Sequence, residues 1–280
     1  MRILVTGSAD GLGRAAADSL LSAGHNVVVH ARNKDRAAGL DPLVRRGADI
    51  VVGDFTEREA VRRIAAELND QDPLDAVIHN AGVWNGRAVM PVNIVAPYLL
   101  TALLPGPRRH VYLSSGSHFG GHPSLAGVDW RGKTPGSYAD SKLFVTTLAA
   151  AVARLHPELL SNAVDPGWVP TRMGGPGAPD DLDLGHQTQE WLATSDQPQA
   201  LTSGGYCITG SCRSRTIQST TRHSRTGSCK PSPRRPALRS DQSISADRGT
   251  GPGKRGITVS GDVDKFAPSK RRKRPGSATM

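Results

Sequence analysis

Up to about Tyr206 the chain alternates short β-branched apolar runs with longer stretches in which apolar residues return every three or four positions. The runs are "RILVTG", "NVVVHA", "ADIVVGD", "LDAVIHNAG", "RHVYLSSG" and "LLSNAVDPG". Apolar side chains at successive positions suit a central parallel strand that helices cover on both faces. Between the runs, "LGRAAADSLLSAG" reads as a helix closed by Gly24, and "TEREAVRRIAAELN" as a second helix, with Thr56 as N-cap and Glu59 three residues on. This alternation predicts an α/β fold, a Rossmann-like doubly wound parallel sheet in a single domain over residues 1–209.

After Tyr206 the pattern vanishes. From Cys207 to Met280 there is one aromatic residue, Phe266, among Ser, Arg, Thr, Pro and Gly. Ordering a backbone costs about 1–2 kcal/mol per residue, and this composition has too little apolar surface to offset that. A disordered basic tail is expected over 210–280. Charge divides at the same place: 18 basic and 21 acidic residues precede Cys207, and 17 basic and 4 acidic follow from it, so the net charge of +10 is −3 from the first part and +13 from the second. Its "SKRRKRPGS" run would attract phosphates without sequence preference. The aromatic side chains on which single strands stack are missing, so nucleic acid is not the expected partner. GC-rich synonymous codons from Cys207 on, read one base over after restoring one G, can encode a string that regains acidic and apolar residues and a Leu-rich end. A frame change at Cys207 is therefore expected, and the tail reads as a lost ending.

Cys207, Cys212 and Cys229 form neither a CxxC pair nor a zinc pattern, so no disulfide and no metal site are expected. The part before Cys207 is cysteine-free, as suits a reducing cytoplasm. No apolar run approaches the roughly 18 residues of a membrane span, and the N-terminal run is far shorter than a signal peptide's. A cytoplasmic protein with no membrane partner is expected.

Candidate chemistry starts in "TGSADGLG", where Gly7, Gly11 and Gly13 fall between the first strand and the first helix. A dinucleotide pyrophosphate needs close backbone approach and a helix N-terminus aimed at it. The second strand ends "VVVHARNKDR", with no carboxylate before Asp35 to accept a ribose 2′-hydroxyl. Arg32 and Lys34 would instead meet a 2′-phosphate, which favours NADP over NAD. "YADSK" sets Tyr138 and Lys142 one helical turn apart, where an ammonium favours the phenolate and lowers the tyrosine pKa. Ser114 and Ser115 end a strand where a hydroxyl would hold a substrate oxygen.

Taken in order, these motifs resemble the short-chain dehydrogenase/reductase family over the first ~206 residues. "TGSADGLG" is similar to its glycine motif, with Ser8 and Leu12 beside the glycines. "HNAG" resembles its Asn-Asn-Ala-Gly, with His79 in place of the first Asn, followed by Asn80, Ala81 and Gly82. "VNIVAPYLL" carries Asn93 where the family has a helix asparagine, and "DPGWVPT" its Pro-Gly turn with Pro166, Gly167, Val169 and Thr171.

The resemblance implies an NAD(P)-dependent oxidoreductase acting on a small apolar carbonyl or alcohol, in a family that is often dimeric or tetrameric. Ser115 would polarise the carbonyl, Tyr138 would act as general acid or base, Lys142 would hold the nicotinamide ribose, and Asn93 would anchor a water. Asp54 would face the adenine and Thr171 the nicotinamide carboxamide. Ser115 and Tyr138 are 23 residues apart, similar to the retinol-dehydrogenase-like branch, with Trp130 in the intervening loop as a candidate wall of the substrate entrance. Asn80 and Asn93 are 13 apart, shorter than usual, which bears on the Asn93 role. Trp168, Met173 and Trp191 are lid candidates. His110, His118 and His122 read as structural or surface residues.

Overall fold

The computed structural model describes residues 1–209 and 211–213. Its strands are β1 (Arg2–Val5), β2 (Asn26–Ala31), β3 (Asp49–Val52), β4 (Ala76–His79), β5 (Arg109–Leu113), β6 (Leu160–Asp165), β7 (Tyr206–Ile208) and β8 (Ser211–Arg213). They form one sheet in the order β3-β2-β1-β4-β5-β6-β7-β8. The first seven run parallel, and β8 closes the edge antiparallel to β7.

The helices are α1 (Gly11–Ser22), α2 (Lys34–Ala38), α3 (Asp41–Val44), α4 (Arg58–Asn69), α5 (Ala96–Leu103), α6 (Tyr138–Leu155) and α7 (Leu182–Thr194), with a π-helical turn, Pro91–Val95, leading into α5. Alternate strand residues feed two layers. Ile3, Val5, Ile78 and Val164 meet Ala16 and Leu20 of α1 and Leu192 of α7 on one face. Leu4, Val28 and Val77 meet Val61, Ile64 and Leu68 of α4 and Leu100 of α5 on the other, where Tyr112 and Ala163 also meet Phe144, Val145 and Ala149 of α6. The apolar continuity of the runs in the sequence is this two-sided burial.

Three local expectations are corrected. Thr56 does not cap α4: the helix starts at Arg58 with Glu57 in the cap position and no side-chain cap bond. The Thr56 N–H and hydroxyl both donate to Asp54 Oδ1, at 2.9 and 2.8 Å, and that turn consumes the hydroxyl. Ser211–Arg213, counted with the tail, pair with β7 as β8. Cys207, for which no disulfide was expected, is disulfide-bonded and buried. The β7–β8 register sets it opposite Cys212, a neighbour relation that a spacing of five does not reveal until the chain turns back. The disorder and frame change expected over the rest of 210–280 lie outside the described residues. Among the described residues no helix is long and apolar enough to cross a membrane.

Candidate active site

Strand order reverses between β1 and β4, and loops leaving the C-terminal ends of the strands part there. They open a cleft of about 550 Å³. At one end its wall is the turn after β1. Gly7 has φ +67°, and a Cβ on it would lie 2.8 Å from Ala81 Cα, so the turn closes directly on the loop after β4. A Cβ on Gly13 would lie 2.3 Å from Asn80 Nδ2 and 2.6 Å from Gly7 O. Gly13 thus seats α1 against Asn80, which donates to Thr6 O at 2.9 Å. The Ser8 hydroxyl turns away from the cleft, donating to Val5 O at 2.6 Å and accepting the His30 N–H at 2.8 Å.

His30, which the sequence reading passed over, buttresses this turn. Its Nδ1 accepts the Gly7 N–H at 3.0 Å, its Nε2 donates to Gly53 O at 2.9 Å, and its ring stacks on Phe55 at 4.0 Å. Burial pushes its pKa down to about 4, so the ring stays neutral, as one accepted and one donated bond require. The available signal was a histidine inside an otherwise apolar strand.

Arg32, Arg36 and Asp54 line the outer part of this end. Arg36 takes the place expected of Lys34: one turn past Arg32, it pairs with Asp10, the N-cap of α1, at 3.1 Å.

At the other end Tyr138 is the first residue of α6, capped by Ser137. The Lys142 ammonium lies 5.4 Å from the centre of the Tyr138 ring and donates to Leu113 O at 2.7 Å. Burial pushes the Lys142 pKa down to about 8, opposed by the charge of Asp165. The Tyr138 phenol is raised, mainly by burial; a hydrogen bond with Ser115 lowers it and Asp165 raises it. The lowering expected from Lys142 is not seen: the phenol is raised by desolvation, which the i, i+4 spacing does not report. Ser114 is spoken for by Thr146 Oγ1 at 2.5 Å, leaving Ser115 as the serine beside Tyr138.

Asn93 sits in the π-helical turn with its side chain fully engaged. Oδ1 accepts the Val83 N–H at 2.8 Å, and Nδ2 donates to Val83 O and to Ser141 Oγ, both at 3.0 Å. It clamps the loop after β4 to α6 across the short 13-residue span. Asp165, absent from the expected set, accepts the Tyr206 hydroxyl at 3.0 Å and the Gly167 N–H at 3.1 Å. Of the expected cofactor residues, Gly7, Gly11, Leu12, Arg32, Asp54, Asn80, Ala81, Gly82, Tyr138, Lys142, Pro166 and Thr171 line the cleft. Ser8, Gly13 and the buried Val169 support it from behind.

The cleft suits a dinucleotide. First-turn N–H groups of α1 have no intrahelical acceptors, the glycine turn leaves no side chain in the way, and two guanidiniums stand at the end of β2.

The sequence model described as "short chain dehydrogenase" matches residues 1–104. An uncharacterized oxidoreductase of Emericella nidulans is 38% identical over 224 residues, which cover 75% of this chain and 86% of that protein. The chain belongs to the short-chain dehydrogenase family. The short-chain dehydrogenase chry4 of Gibberella zeae is 37% identical over 216 residues, covering 72% of this chain and 83% of its own. In fold, this short-chain dehydrogenase is similar to Pseudomonas aeruginosa RhlG, solved as an NADP active-site complex, with a TM-score of 0.60 at 23% identity over 74% of this chain and 93% of that one.

The remaining candidates of this short-chain dehydrogenase separate clearly. Trp130 packs its ring on Phe144 at 5.7 Å in the core under the loop, and Trp191 packs beside α1 with its N–H on Gln197. Neither faces the cleft; Met173 does. Trp168 is exposed and tied to Gly174 O at 2.9 Å. His110 is buried against His79 at 3.2 Å, and the His118 ring lies tilted against that of Tyr206 at 4.7 Å. Trp84, not singled out in the sequence, lines the cleft with its ring 4.6 Å from that of Tyr138. Among the described residues no group of three or more His, Cys, Asp or Glu side chains is placed to hold a metal ion.

Proposed function

We propose that this oxidoreductase transfers a hydride between NADP(H) and a small apolar carbonyl or alcohol, with Tyr138 as general acid and base. The observation that carries the reading is that Tyr138 and Lys142 line the cleft that the glycine turn opens, with Ser115 hydrogen-bonded to the Tyr138 phenol. NADPH, when bound, supplies the hydride. The Ser115 hydroxyl holds the carbonyl oxygen, and the Tyr138 phenol, kept protonated by its burial, gives that oxygen its proton. Lys142, held by Leu113 O, offers its remaining N–H donors to the nicotinamide ribose and stabilises the phenolate left behind. Asn93 acts as a positioning residue: its engaged amide holds the Val83 loop, so the water-anchoring role implied for it is not assigned to its side chain.

Arg32 and Arg36 support NADP over NAD, since no carboxylate ends β2 and two guanidiniums flank the cleft there. Val83, Trp84, Val92 and Met173 support an apolar substrate. We assign the catalytic domain to residues 1–209 together with the β8 residues Ser211–Arg213, and the sequence from Cys207 on to a frame change, which the coding DNA of codons 204–212 tests directly. The relatives support this: they match about three quarters of this chain but more than four fifths of their own lengths. The function is tested by following NADPH oxidation with a panel of apolar ketones and aldehydes, for the native chain and for Tyr138→Phe. Equal rates in the two would overturn the mechanism.

A further inference from the structure

Trp84 is mounted in a way that neither its sequence position nor core packing explains. Its neighbour Val83 is held at both its N–H and its carbonyl by the buried Asn93 side chain, so the loop presenting Trp84 is pinned. The indole lies against the Tyr138 ring at 4.6 Å, tilted by 48°, yet 57% of the residue is exposed. Of the other three tryptophans, Trp130 packs on Phe144 and Trp191 bonds Gln197, while Trp168, also exposed, does not line the cleft. A large apolar ring held rigidly in water beside a reacting group gains most when a ligand covers it.

We propose that Trp84 is a specificity-determining residue that stacks on an aromatic ring attached to the substrate carbonyl, so the substrate class is aryl ketones and aldehydes. The inference rests on the carbonyl-reductase reading above. An oxygen held at Ser115 and Tyr138 places the substituent on its carbon next to the indole, because Trp84 and the Lys142 ammonium already flank the Tyr138 ring. The surroundings suit a neutral flat group. Val83, Ala88, Val92 and Met173 are apolar, and the cleft's charges Asp10, Arg32, Arg36 and Asp54 belong to the glycine-turn end, leaving Lys142, on the far side of the Tyr138 ring, and Arg172, beside Met173, as the charged side chains at this end.

The test compares acetophenone with cyclohexyl methyl ketone, and benzaldehyde with cyclohexanecarbaldehyde, on the full chain and on Trp84→Phe and Trp84→Leu. Two ratios are read: kcat/KM with NADPH, and calorimetric affinity for the two ketones on protein saturated with NADP+, where no turnover occurs. Aromatic pairing predicts an aryl preference of about three- to tenfold in the native chain. The preference is retained in Trp84→Phe and lost in Trp84→Leu. An unchanged preference in Trp84→Leu, or none in the native chain, overturns the proposal. If no carbonyl supports NADPH oxidation, the reductase reading falls, and the calorimetric ratios decide the stacking on their own.

Discussion

At the glycine-turn end of the cleft the walls are backbone. Gly7 and Gly13 let β1, α1 and the loop after β4 close to contact, and the polar side chains there, Ser8, His30 and Asn80, spend their hydrogen bonds holding that backbone in place. At the reacting end the walls are side chains: Tyr138, Lys142 and Ser115 face one another, with Trp84 alongside and Asp165 behind. A backbone-built end fails when volume is added, and a side-chain-built end fails when a functional group is removed. The first failure appears as instability and lost cofactor affinity, the second as lost turnover in a folded protein.

The sharpest separation is expected from Tyr138→Phe, which removes one oxygen. General acid catalysis is worth about 10²–10⁴-fold, so kcat/KM should drop by that factor while NADPH affinity, read by nicotinamide fluorescence, stays within about twofold. A comparable loss of affinity would show that the two ends are not independent.

Acid should weaken the fold that carries both ends, because the glycine turn rests on His30 and the sheet interior holds His79 against His110, all buried. His30 and His110 are pushed down to about 4 and His79 well below its ordinary value, each chiefly by burial. The unfolded chain takes up these protons near pH 6.5, before the folded one does. The stabilisation is therefore complete above that pH and is lost as pH falls toward 4, at about 1.4 kcal/mol per pH unit for each histidine. Urea midpoints measured between pH 7.5 and 4.5 check the sign; a flat profile would place these rings in contact with water.

Gly7→Val adds a side chain where φ is +67° and the nearest backbone atom is 2.8 Å away. Strain and overpacking together should cost about 3 kcal/mol of stability, seen in the urea midpoint, with NADPH binding lost alongside. The smallest effect belongs to the exposed charges. Arg32→Ala combined with Arg36→Ala should narrow the preference for NADPH over NADH by about tenfold, with NADH affinity little changed. An equal loss for both cofactors would mean that the arginines hold something other than the 2′-phosphate.

Legibility in the sequence followed the same divide. Gly7, Gly11 and Arg32 were readable from a strand end and a turn, and Asp54 came only from the family resemblance. The i, i+4 pair of Tyr138 and Lys142 was readable because a helix makes it local. Arg36, His30, Trp84 and Asp165 were missed. Their roles depend on which loop lies opposite, and no spacing encodes that. Trp130 and Trp191, both large and apolar, were offered to the substrate and went to the core.

The sequence by itself determined the alternation of buried strands and helices, the position of the glycine turn between β1 and α1 and the one-turn spacing of Tyr138 and Lys142, because these are set by contacts within a few residues along the chain. Only the tertiary structure decided that burial raises the Tyr138 phenol, that Asn93 spends its amide on Val83, and that Cys207 lies opposite Cys212 in the strand register. Desolvation and pairing across strands depend on which distant segments the sheet order brings together, and that order is a property of the folded chain.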